Sequence, residues 1–392
     1  MSIADKLQEL INSKADMKSA IAEKGVDVEG GLTTYADAIR KIQQWAGDRF
    51  AAIGYNAENT GGFIQLMDAD IEVSKKILDE WNSTGSFDMT KWKNIAVYFP
   101  AVDLTGYPYI NTFRFLEWSK LQVVPSLDFT GRTSMNGLFY KCNSLKYIGN
   151  ITGTESVTDM SMLFEDCTSL TSIPYFDTSS VTSMHDMFNG CTSLTTIPQL
   201  DTSSVTSMHE MFSGCTSLTS IPQLDTSSAT DLKAMFWGCS SLTTVPHLDT
   251  SSVTDMRFLF AYCSSLTTVP PIVTSNVTEI GYMFTDCESL TSIPLLDCSS
   301  ITEKISPFQM SSNLYNLTDL GGFKDLKVGW SIDFLNMIPN VTVESLMNVI
   351  NNLYDLTANG LSGQTLKFGT PNLNKLTDEQ IAVAINKGWT LI

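Results

Sequence analysis

Residues 194 to 217 read LTTIPQLDTSSVTSMHEMFSGCTS, and Leu218 opens a further copy of the same pattern. Outward from this unit, Phe139, Phe164, Phe188, Phe212, Phe236, Phe260 and Phe284 recur at equal steps, except that the first step, from Phe139 to Phe164, is longer by one position. Cys142, Cys167, Cys191, Cys215, Cys239, Cys263 and Cys287 each follow a phenylalanine by three positions. Leu145, Leu170, Leu194, Leu218, Leu242, Leu266 and Leu290 follow the cysteines by three more. Self-similarity at one fixed period, here about 24 residues, is the mark of a stacked repeat architecture. A degenerate copy precedes the clear ones, with Phe115, Trp118, Leu121, Val124 and Pro125 in the Phe, Cys, Leu, Ile and Pro columns, so the array is read as residues 95–300.

Each unit has two halves of different hydrophobic period. Leu218, Ile221 and Leu224, closed by Pro222 and Asp225, fit a short strand. In the stretch from Ser207 to Phe212 the apolar residues fall at i, i+3 and i+4, Ser207 and Glu210 have capping-box spacing, and Gly214 follows as a stop; this predicts one or two helical turns. Neither half buries its apolar face alone, so neighbouring coils must share one core. With strands about 4.8 Å apart, roughly eight coils would form a rod on the order of 40 Å long. The predicted fold class is an α/β repeat solenoid with a helical amino-terminal segment and a carboxyl-terminal cap.

The run FSGCTSLTSIP from Phe212 to Pro222 resembles the BspA-type leucine-rich repeat of bacterial surface proteins. The DTSSVTxM stretch resembles a variant found in mycoplasma-like surface lipoproteins and phage proteins, and the resemblance covers roughly residues 110–300. It implies a curved array of short strands and short helices, and adhesion in place of catalysis.

The 392 residues carry a formal net charge of −18, from 42 acidic and 24 basic side chains, with no basic cluster. A phosphate backbone would be repelled, which argues against nucleic acid as a partner. No run of 18 apolar residues is present to span a membrane, and the first ten residues lack the basic and apolar regions of an export signal.

Residues 1–46 read as two helices about a glycine turn. Ile3, Leu7, Leu10, Met17 and Ile21 form one stripe, and Tyr35, Ala38, Ile39 and Ile42 a second. The segment is expected to be an anchor that docks on other virion proteins or self-associates, with a trimer favoured, or else a hairpin packed on the first coil. Its stretches at residues 13–28 and 34–42 resemble amino-terminal segments of virion proteins of Bacteroides-infecting, crAss-like phages. Residues 47–94 are read as a cap or linker. Residues 301–392 are read as a cap, with a helix from Ser345 to Leu356 placing Leu346, Val349, Ile350 and Leu353 inward, and another opening at Thr377 and stopping at Gly388. The closing stretch, residues 376–392, is similar to the terminal segment of phage and commensal-bacterial repeat proteins of this type.

For chemistry, the columns are weighed in turn. The cysteines form no C-x-x-C pair, which argues against zinc, and in-register side-chain vectors suit a disulfide poorly; buried, reduced thiols are expected. His185, His209, Lys233 and Arg257 share a column beside Asp231, Asp255 and Glu279, read as a solvated charge stripe rather than a catalytic or metal site. Asp177, Asp201, Asp225 and Asp249 are read as turn formers, since the glycine-aspartate runs of calcium solenoids are missing. No catalytic residue, metal site or cofactor is predicted.

Tyr175, Gln199, Gln223 and His247 follow the strand proline in successive units, and Trp237 follows an inward phenylalanine. Variable polar and aromatic side chains on a constant frame form a candidate recognition face. The expected function is that of a phage virion structural protein, a fibre or decoration, touching a bacterial surface or glycan receptor. The alternative is a bacterial cell-surface adhesin, and a glycan-degrading enzyme ranks below both.

Overall fold

The computed structural model describes the strands β1 (Phe50–Ala52) and β2 (Phe63–Gln65) and residues 68–392, apart from 87, 101, 105–106, 108, 303–304, 309, 312–313 and 331–339. The anchor residues Ile3, Leu7, Leu10, Met17, Ile21, Tyr35, Ile39 and Ile42 lie outside the described residues. The chain divides into two compact units, Met1–Asp68 and Ala69–Ile392, a boundary inside the segment read from sequence as a cap or linker. In the first unit, β1 and β2 pair antiparallel with Ala51 opposite Ile64.

The second unit is a stack of coils around one apolar interior. Its core is a single cluster running from Ile77 to Trp389, and every Phe, Cys and Leu of the three repeat columns is fully buried in it. The phenylalanine rings lie in a file from Phe115 to Phe308, with Phe188 and Phe212 5.5 Å apart and Phe212 and Phe236 5.8 Å apart. Their planes differ by only 5° at these two steps, the offset-stacked arrangement that aromatic quadrupoles favour.

The half of the repeat read as helical is not a helix. An α-helix commits each N–H to its own carbonyl four residues back. Here alternate N–H groups leave the coil: Met208, Glu210, Phe212 and Gly214 donate to the carbonyls of Asp231, Lys233, Met235 and Trp237 in the next one, at 2.7–3.2 Å. The groups between them close tight turns, with Met211 donating to Met208 and Ser213 to Glu210. Turn and cross-coil bond alternate because Glu210 and Gly214 both take positive φ, 52° and 71°, as do Asp186 and Gly190 one coil earlier. The i, i+3, i+4 spacing is a sound guide to burial, since Met208, Met211 and Phe212 are all enclosed. Ser207, read as a helix cap, instead belongs to a line of parallel bridges through Ser134, Asp159, Ser183, Ser207, Asp231, Asp255 and Glu279.

Among the described residues the expected strand forms only near the ends of the stack. Parallel pairs join β3 (Val123–Val124) to β5 (Tyr147–Ile148), β4 (Leu127–Asp128) to β6 (Ile151–Thr152), and β7 (Leu296–Asp297) to β8 (Phe323–Lys324). Gly149 donates its N–H to Val124 at 2.8 Å, and the middle coils carry Pro174, Pro198, Pro222 and Pro246 at that position. Proline has no N–H to give, so the segment stays extended but unladdered.

The first unit-two elements, helices α1 (Asp68–Thr84) and α2 (Met89–Trp92), bring Ile77 and Trp92 onto the core. At the other end the coils continue beyond residue 300, contrary to the sequence reading: Thr291, Thr318 and Thr342 donate in turn to Thr267, Thr291 and Thr318. The step from Thr291 to Thr318 is longer than those before it, which hides the period. Helix α3 (Val343–Asn352), capped by Thr342, then turns Leu346, Val349 and Ile350 inward, beginning two residues before the predicted start and ending before Leu356. After β9 (Gln364–Leu366) and a short helix α4 (Thr370–Leu373), α5 (Asp378–Asn386) opens on a Thr377–Gln380 capping box, and β10 (Trp389–Leu391) pairs parallel with β9.

The cysteines are more than small apolar fillers. Cys215 Sγ donates to the Phe188 carbonyl at 3.2 Å and Cys239 Sγ to that of Phe212 at 3.1 Å, and the pattern holds along the whole column. The Phe212 carbonyl also accepts the Cys215 N–H, so one oxygen ties its own coil and the next. All eight cysteines are free and buried. Burial pushes the thiols up, Cys142 and Cys239 to about 12.

Phe212→Ala should open a cavity in the file of rings and cost about 3–5 kcal/mol, read from the midpoint of urea unfolding. Alkali should destabilise the chain. A thiol protonated when folded and ionised when unfolded contributes stability that is complete below its unfolded value of 9.0 and is lost as pH rises through about 12. Thermal midpoints should fall across that window, and Cys239→Ala should flatten the fall; an equal slope in the variant counts against the thiols as its source.

Candidate binding site

Four of the five recognition residues meet at one place. Tyr175, Gln199, Gln223 and His247 line an open groove with Asp201, Asp225 and Asp249, over a floor of Leu200, Leu224, Thr202 and Thr226, with a volume of about 630 Å³. The groove crosses successive coils, because each of the four sits one repeat after the last.

Its frame is built from hydroxyl rungs. Thr178, enclosed inside the coil, donates to the Asp201 carbonyl at 2.9 Å and accepts the Asp201 N–H at 2.8 Å. Thr202, Thr226 and Thr250 repeat the donation to Asp225, Asp249 and Val273, each at 2.8 Å. These buried hydroxyls replace the strand ladder that the prolines prevent, and they hold the aspartates in register.

Each aspartate is then fixed by its own turn. Asp201 Oδ1 accepts the Ser203 N–H and hydroxyl, and Asp225 and Asp249 do the same with Ser227 and Ser251 at 2.6–3.0 Å. The serine hydroxyl and backbone donors hold the Asp225 and Asp249 carboxyls below the usual carboxylate range, and serine's backbone N–H does so first at Asp177. The glutamines are equally constrained. Gln199 Nε2 donates to the carbonyls of Gln223 (2.7 Å) and Leu200 (3.1 Å), and Gln223 Nε2 to those of His247 (2.7 Å) and Leu224 (2.9 Å). Both amide hydrogens are thereby engaged by the main chain.

Residues 133–244 and 218–319 match the family model described as a Mycoplasma protein of unknown function, DUF285. Among solved structures, the chain is similar to the leucine-rich repeat protein of T. pallidum, TpLRR, at 23% identity and a TM-score of 0.34, covering 50% of this chain and 78% of that one. It is also similar to the functional domain of InlJ from Listeria monocytogenes, which includes a cysteine ladder, at 15% identity and a TM-score of 0.21 over 72% of this chain and 66% of that one. The TLR13–ssRNA13 complex matches at 12% identity and a TM-score of 0.24, over 64% and 49% of the two chains. No curated protein sequence matches. The repeat fold stands on the coil-to-coil hydrogen bonds and the shared core.

Trp237 is not among the groove residues. It sits on the turn half of its coil, half-exposed, with its ring 5.5 Å from Tyr262, and nearby Phe258 and Tyr282 stack at 4.7 Å. In the charge column, His185 Nδ1 lies 3.0 Å from Asp186 and His209 Nε2 2.9 Å from Glu210, and Arg257 forms ion pairs with Asp255 and Glu279. Burial, then the charges of Asp186 and Asp166, push the Glu165 carboxyl up to about 7 beside this column. Among the described residues no group of three or more His, Cys, Asp or Glu side chains is arranged to hold a metal ion.

Reading the sequence column by column missed the aspartates as part of the binding surface. The signal was available, because Gln199 and Asp201, Gln223 and Asp225, and His247 and Asp249 are two residues apart, which in an extended chain puts both on one face. Thr178→Val should remove both hydroxyl bonds to Asp201 while keeping the side-chain shape. The expected loss is about 1–3 kcal/mol in urea unfolding, with the outer surface unchanged.

Proposed function

We propose that this chain is a binding protein without catalytic activity, using the groove across its coils for adhesion. One observation carries the reading: a rigid stack sets Tyr175, Gln199, Gln223 and His247 above a row of aspartates in a single open groove. Preorganised side chains bind without the entropy cost of ordering them. Hydrolysis of a glycan would need a carboxyl raised to act as general acid, whereas within the groove the serine donors shift Asp225 and Asp249 the opposite way, and Glu165, which is raised, is not among the groove residues.

The carrier we propose is a phage virion, as a fibre or decoration of BspA-type repeats that contacts a bacterial surface, with residues 1–46 docking on other virion proteins. Support comes from the resemblance of residues 13–28 and 34–42 to virion proteins. Two measurements test this separately. Labelled chain should bind intact host bacteria, and the double variant Tyr175→Ala, Gln223→Ala should lose at least about tenfold in affinity; equal binding would remove the groove from the adhesive role. Tryptic digests of purified virions should contain peptides of this chain, and their recovery from the bacterial envelope alone would make it a cell-surface adhesin.

A further inference from the structure

The hydrogen bonds inside the groove define what it can still accept. Oδ1 of Asp201, Asp225 and Asp249 is engaged by serine in every case, and each Oδ2 receives no donor among the described residues. The amide nitrogens of Gln199 and Gln223 are engaged by main-chain carbonyls, and their Oε1 atoms likewise receive no donor among the described residues. Between its two ends, where Tyr175 and His247 can also donate, the groove therefore offers one carboxylate oxygen per coil, with an amide oxygen beside it in two of them, all acceptors. An occupant is favoured that is rich in donors along its length. Anionic polymers are disfavoured by this lining and by the net charge of −18.

Register narrows the class. The acceptors recur once per coil, and parallel backbones bridged coil to coil lie about 4.8 Å apart. An extended peptide advances about 3.3 Å per residue and repeats a side-chain face only every second residue, so its donors drift out of step within two or three coils. A linear glycan advances by about one sugar ring per unit, close to the coil spacing, and carries hydroxyl donors on every unit. Pairs of neighbouring hydroxyls suit a carboxylate oxygen with an amide oxygen beside it. At one end Tyr175, 69% exposed, offers a ring face to the apolar side of a sugar.

On the reading of the groove as the adhesive site, we propose that its ligand is a neutral linear glycan lying along the stack, with one sugar unit per coil. Tyr175 contacts a terminal unit, and Asp201, Asp225 and Asp249 take hydroxyls of successive units. Because the groove spans the coils from Tyr175 to His247, affinity grows with chain length until these coils are filled and then levels.

Calorimetric titration of the full chain tests this with neutral cello-, manno- and N-acetylated chito-oligosaccharides of two to eight units, beside heparin and a lysine-rich peptide. At least one neutral series should gain about tenfold or more between two and four units and little beyond. Asp225→Asn, which preserves the turn because asparagine forms the same local bonds, should weaken that series about tenfold, and Tyr175→Ala should do likewise. Far-UV circular dichroism of the variants checks that the stack persists. Failure of every neutral series to bind, or binding indifferent to length, overturns the glycan assignment. Should heparin or the peptide bind instead and lose affinity on Tyr175→Ala, the neutral-glycan assignment falls and the groove reading stands. Glycan binding that ignores both substitutions overturns the groove itself.

Discussion

Each coil is completed by its neighbours. The Phe212 carbonyl accepts the Cys215 N–H from its own coil and the Cys239 thiol from the next, while the Phe212 N–H is donated to Met235. With the rings above and below it stacked at 5.5 and 5.8 Å, the same residue closes the turn, carries the cross-coil bond and fills the core. A single coil would leave its cross-coil donors and acceptors without protein partners and its rings facing water, so it could not hold its shape alone. Stability is therefore a property of adjacent pairs, and the ends must be covered by α1 and α2 on one side and by α3 and α5 on the other.

The groove inherits its geometry from this frame. Prolines at positions 174, 198, 222 and 246 remove the strand ladder, and the buried threonines Thr178, Thr202, Thr226 and Thr250 restore cross-coil bonding through their hydroxyls. The aspartate backbone is thus held from inside and its side chain from outside by serine. What varies between coils, Tyr175, Gln199, Gln223 and His247, stands on a lattice that does not. A surface of this kind can change its side chains by single substitutions without disturbing the core.

The turn half of the repeat presents different chemistry. Its local ion pairs, Arg257 with Asp255 and with Glu279, are partly exposed and contribute little to stability. The aromatic pairs Trp237–Tyr262 and Phe258–Tyr282 lie on that half, apart from the groove residues. The proposed groove lies on the other half, where, among the described residues, Asp201, Asp225 and Asp249 each keep an open carboxylate oxygen in step with the coils.

The sequence alone determined that the coils stack, which residues they bury, and that Tyr175, Gln199, Gln223 and His247 share a column, since a fixed period places equivalent side chains on one line whatever the local backbone. It did not determine the conformation inside a coil. Met208, Met211 and Phe212 have helical spacing, yet alternating turns bury them equally well, and the choice between the two rests on where each N–H finds its carbonyl. For Phe212 that partner is Met235 in the next coil, a relation no local pattern contains. The same holds for the groove: Asp201 and Asp225 line it together because hydroxyl rungs from neighbouring coils hold their backbone in register, and the stacking continues past residue 300, where a longer step erases the period.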